Sequence, residues 1–269
     1  CISSSVPAAV KLQQEFGDRI QVIFVESQGT GYEKSVGFAL KAGWLGNNAI
    51  WTSKAPFSTG SNGLPSFALL DASGKVVLKG SSNAMHGQIV DEVERMVGKP
   101  DYGDMPKSVQ KVYKELNKGK IAGAYEIAEK VIAKPGSKDA SIVLAAAQAS
   151  LAAVQGRFDS QVSSINWLAE NGYPIRALDS AKELAKSVAK NGNMKASAGL
   201  LVEMLEGEDF KEQIKWDKSL TKLEMAMYEN KEGDPRSIKK IEELKDEAAG
   251  TPVGTRAEGL AYIAKFSKK

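Results

Sequence analysis

Residues 98–106, GKPDYGDMP, divide this chain into two stretches of different texture. Gly, Pro and Asp crowd this segment, so no regular element continues through it. Before it, short β-favouring runs alternate with helical patterns. After it, every apolar pattern repeats at helical spacing. A length of 269 residues leaves room for two ordinary domains. The reading is therefore an α+β chain: an α/β domain over residues 1–98, a linker over 99–106 and an all-α domain over 107–269.

In the first region Val6, Ala9, Val10, Leu12 and Phe16 share one helix face, closed by Gly17. The run Val22–Val25 predicts a strand covered on both faces. Val36, Phe38, Ala39 and Leu40 mark a second helix. SFALLDASGKVVLKG predicts strand, turn and strand, with Asp71 to Gly74 as the turn. Ile89, Val93, Met96 and Val97 close the region as a helix. Together these elements form a small open sheet of about three strands with flanking helices.

Beyond the linker about nine helices are expected and no strand. Val109, Val112, Tyr113 and Leu116 lie on one face, as do Ala124, Ile127, Ala128, Val131 and Ile132. Short breakers (NGYP, KNGN, EGDP, AGTP) and Ala-rich contact faces point to stacked helical hairpins, tetratricopeptide-like or an irregular bundle. Their apolar stripes are core first and ligand surface second.

Composition removes whole classes of chemistry. A net charge of +3, with Lys and Glu alternating along helices, argues against nucleic acid as a partner. No run of about 18 apolar residues spans a membrane. One Cys excludes an internal disulfide and a Cys-based zinc site. One His, His86, leaves no basis for a His-ligated metal or a Ser-His-Asp triad, and its place before a helix fits a surface or capping role. No metal or cofactor is expected. GTGYEK lacks the pattern of a phosphate loop and reads as a turn. Trp44, Trp51 and Phe57 read as core, with a groove near Pro65 as the other reading.

The sole Cys opens the chain in CISSSVP, leading into the first helix. GLPSFALLD places Leu64 and Pro65 ahead of an apolar strand, and LLDASGKVVLKG follows as a hairpin. In this order the three segments resemble the thioredoxin-like superfamily, more narrowly the redoxin or TlpA-like thiol–disulfide oxidoreductases of the bacterial envelope. The resemblance covers residues 1–98. It implies a cis Leu64–Pro65 bond, Cys1 as the attacking thiol, and Ser4, Leu64 and Pro65 as substrate-contacting residues. It also implies a protein disulfide or protein partner and a periplasmic location. A thiol at a helix N-terminus is favoured as thiolate, the nucleophile of disulfide exchange. Counted as C-I-S-S, the motif has Ser4 at the resolving position, so a mixed disulfide formed at Cys1 has no internal release.

The family also places a strand immediately before its Cys, and that first strand is missing here. It comes either from residues upstream, the favoured reading, or from another chain. Three readings of Cys1 stay open: a redox-site remnant, a lipid-anchored terminal Cys, and an accident of position. Two functions are compatible with these residues. One is a degenerate or monothiol redox module with an attached helical interaction domain. The other is a non-catalytic scaffold in which both regions bind proteins.

Overall fold

The computed structural model describes residues 4–26, 28–44, 49–51, 56–61, 63–71, 74–82, 84–97, 102–136, 139–230 and 234–266. Its contacts divide the chain into two compact units. One comprises Cys1–Asp101 with Met225–Asp234 and Ile263–Lys269, the other Tyr102–Glu224 with Pro235–Tyr262.

The first unit is α+β. Helix α1, Ser5–Phe16, ends at Gly17, whose φ of 55° suits a residue without Cβ. The Gln13 side chain then ties the exit of the helix to residues 17–22. Its amide donates to the carbonyls of Gly17 and Ile20, both at 2.9 Å, and accepts from Val22 N–H at 2.6 Å. Strand β1 is accordingly Phe24–Glu26 and starts after Val22, later than its apolar run predicts. Ile23 and Val25 remain 50% and 42% exposed, so the strand is not covered on both faces as expected. Alternation explains this: Phe24 points the other way and meets Trp44, ring centroids 6.3 Å apart. Trp44 in turn meets Phe38 edge-on at 5.2 Å, so it packs between β1 and helix α2, Tyr32–Lys41.

A three-residue strand β2, Ala49–Trp51, pairs in parallel with β1. It is not among the expected strands, because three residues carry no readable period. The hairpin is. Strands β3, Ser66–Leu70, and β4, Val76–Ser81, pair antiparallel, with Phe67 opposite Gly80 and an irregularity between Leu69 and Leu70. At the turn the Asp71 carboxylate accepts Lys75 N–H at 3.0 Å, and Gly74 supplies φ of 83°. Among the described residues the strands thus form two sheets of two, β1–β2 and β3–β4, rather than one sheet of about three. The Leu64–Pro65 peptide is cis. Helix α3, His86–Val97, buries Val93.

The second unit holds only helices among the described residues. Their order is α4 Lys107–Asn117, α5 Ile121–Ala133, α6 Ala140–Glu170, α7 Pro174–Ser187 and α8 Gly192–Glu206. Helices α9 Glu208–Asn230, α10 Pro235–Glu247 and α11 Pro252–Phe266 complete it, with the ends of α9 and α11 assigned to the first unit. Among the described residues these helices number eight where about nine are expected, and α6 alone runs 31 residues. Each of α4 to α7 packs on the next helix, and α4 also reaches α6. Their core joins Val112, Ile121, Ala128, Val154, Phe158, Ile165, Leu184 and Leu205, all buried. Small residues at contacts (Ala124, Ala147, Ala177, Ala181 and Ala198, all fully buried) let the helices approach closely. No helix among the described residues is long and apolar enough to cross a membrane.

Candidate functional site

Cys1 lies outside the described residues, so the site is built from what surrounds the start of α1. Ser4 stands exposed just before the helix, and its carbonyl accepts Ala8 N–H at 3.0 Å, closing the first turn. Ser5, half-buried, has its hydroxyl 2.9 Å from that of Ser82. Ser82 comes just after the end of β4 and returns to the proline loop. Its N–H donates to the Pro65 carbonyl at 3.1 Å and its hydroxyl to the same oxygen at 3.3 Å. The first turn of α1 is therefore held through one side chain to the backbone of Pro65.

This brings together three segments that are far apart in sequence. The N-terminal end of α1 supplies partial positive charge. Pro65 lies half-buried, and Leu64 projects with 55% of its surface exposed. Phe57 is 41% exposed, while the Trp51 side chain lies outside the described residues. Trp44 belongs to the packing of α2 on β1 and not to a groove. His86 is an exposed first residue of α3, as its position predicts. Among the described residues no group of three or more His, Cys, Asp or Glu side chains gathers to hold a metal ion.

Nothing in the sequence singles out Ser5 and Ser82. Serines beside a strand end are common, and only the 2.9 Å contact gives this pair meaning. A second constellation is equally silent in the sequence. In the helical unit Arg256 of α11 is buried, its side chain 8% exposed. It donates to Asp217 at 2.6 Å, to Thr221 and the Gly172 carbonyl at 2.9 Å each, and to Glu224. Its guanidinium also lies 4.0 Å from the Tyr173 ring centroid. Asp217, 2% exposed, further accepts from Ile175 N–H at 3.1 Å and from the Thr221 hydroxyl at 2.8 Å. Burial alone would lower the Arg256 pKa; Glu224 and Asp217 outweigh it and hold the pKa above its ordinary value. This cluster fastens the α6–α7 turn to α9 and α11. Both guanidinium amino groups of Arg256 and the Asp217 carboxylate are answered within the cluster, Arg256 Nε being buried without a partner among the described residues, so its role is architectural.

Compared with protein-family models, with curated proteins and with solved structures, the chain shows no significant match. The class defined at this point is a two-unit protein, one α+β and one helical.

Proposed function

We propose that the chain is a thioredoxin-like thiol–disulfide module with an attached tetratricopeptide-like domain for protein interaction, working in a bacterial envelope. The observation that carries the reading is the bridge from Ser5 through Ser82 to Pro65. It sets the start of α1, the helix that follows Cys1 in the sequence, against the loop that, in that family, receives the substrate chain. The hairpin after the loop and the parallel β1–α2–β2 unit agree with this arrangement. The two sheets keep β1 and β3 apart, where the thioredoxin arrangement joins their counterparts through one shared central strand.

In this reading the Cys1 thiolate attacks one sulfur of a substrate disulfide. A mixed disulfide forms and the other substrate sulfur leaves as thiolate. Ser4 has no thiol to resolve it, so release requires an external thiol. The expected behaviour is fast alkylation of Cys1 with an apparent pKa below that of a free cysteine peptide, together with little catalytic turnover of a protein disulfide. Alkylation no faster than that of the peptide overturns the redox reading. The second reading, a non-catalytic scaffold, is favoured by the same single Cys and by Ser4 in the resolving position. High turnover by this chain alone would exclude it.

A further inference from the structure

Helix α9 sorts its charges. Asp217, Thr221 and Glu224, at i, i+4 and i+7, face inward to Arg256. Lys211, Lys215, Lys218 and Lys222, spaced 4, 3 and 4 residues apart, stand exposed on the outer face. Lys211 is paired with Glu208. Lys215, Lys218 and Lys222 make no ion pair among the described residues; what sets them apart is that they follow one another at 3 and 4 residues along one exposed face. Like charges at i, i+3 and i+4 repel on a helix. The stripe Lys215–Lys218–Lys222 therefore opposes the helix that carries it, over about 10 Å of rise.

We propose that this stripe docks an acidic helix of a partner protein, one that presents Asp or Glu at the same spacing of three and four. Charge complementarity selects an anionic occupant, and the width of the stripe selects a helix. Glu208, Asp209 and Glu212 are exposed at the N-terminal end of α9, so the cationic strip is short and one residue wide. A broad polyanion such as duplex DNA or an anionic bilayer would meet those acids as well. A second helix crossing at a shallow angle meets one seam of side chains at this period. The proposal stands apart from the thiol reading, since α9 shares no residue with that site.

The test uses the full chain and a capped Ala-rich helical peptide bearing four Glu at 4-3-4 spacing, with binding read by fluorescence anisotropy at low salt. A twin peptide with Gln for Glu, phosphatidylglycerol vesicles and a DNA duplex are run beside it. The expected result is binding of the Glu peptide that weakens as salt rises. Lys215→Gln, Lys218→Gln and Lys222→Gln combined should weaken it about tenfold, since three exposed pairs contribute roughly twofold each. The control triple Lys107→Gln, Lys111→Gln and Lys134→Gln removes the same net charge and should leave affinity unchanged. Equal binding of the Gln peptide, an equal loss in the control triple, or no binding would each overturn the proposal. So would tighter binding to vesicles or DNA than to the Glu peptide.

Discussion

The hydroxyls of Ser5 and Ser82 stand 2.9 Å apart although 77 residues separate them in sequence. One belongs to the first turn of α1; the other also holds the Pro65 carbonyl. Substituting Ser82→Ala removes both side-chain bonds and leaves its backbone N–H on Pro65. A half-buried pair of this kind contributes about 0.5–1.5 kcal/mol net. A double-mutant cycle with Ser5→Ala, read by urea unfolding, should return a coupling of that order. Strictly additive losses would mean that the contact carries no energy.

Arg256 is expected to be the most costly single residue of the helical unit. Arg256→Met leaves the buried Asp217 carboxylate without the guanidinium that neutralises it, a change that costs about 3–5 kcal/mol. Arg256→Lys should recover part of this but not all, because one ammonium cannot reach every acceptor of the planar guanidinium. Urea midpoints for the wild type, Lys and Met chains should fall in that order. Equal midpoints for Lys and Met would show that charge contributes nothing.

Two glycines should respond with opposite sign. Gly172 has φ of 80°, and a Cβ there would sit 2.5 Å from the Pro252 carbonyl oxygen. Gly172→Ala combines left-handed backbone with a backbone clash and should cost at least about 2 kcal/mol. Gly156 lies on the exposed side of α6, and a Cβ there meets nothing within 4 Å. Gly156→Ala should stabilise by up to about 1 kcal/mol through helix propensity. Thermal melts of the two variants, shifting in opposite directions, check this.

Acid should weaken the α4–α5 turn. The hydrogen bond from Lys118, helped by the charges of Lys118 and Lys120, holds the Glu115 carboxyl below its ordinary value near 4.5. A carboxyl lowered in the folded state stabilises above its unfolded pKa, and that contribution is lost as pH falls through the lowered value. Stability of the wild type should therefore drop more steeply below pH 4.5 than that of Glu115→Gln. Parallel pH profiles of unfolding would remove this role from Glu115.

The local elements are legible because each is written in a local pattern. Val109 and Val112, three apart, announce the buried face of α4, and both are fully buried. Asp71 and Gly74 announce the hairpin turn, where the Asp71 side chain closes onto Lys75. Where a tertiary contact competes with the pattern, the pattern misleads: Gln13 captures Val22 N–H, and β1 starts two residues late.

By itself the sequence determined the α+β texture before residue 98, the helical texture after 106, and a single Cys within these 269 residues. Periodicity and composition are properties of neighbours in the chain, and they survive without a fold. Only the tertiary structure decided that the four strands of the described residues make two sheets, that Ser5 meets Ser82, and that Arg256 gathers Gly172, Asp217, Thr221 and Glu224. The Ser5 and Arg256 contacts join residues 32 to 84 positions apart, and no local period records them. They exist because buried donors, acceptors and charges must find partners once the apolar faces have closed, and which partners stand nearby is set by the packing.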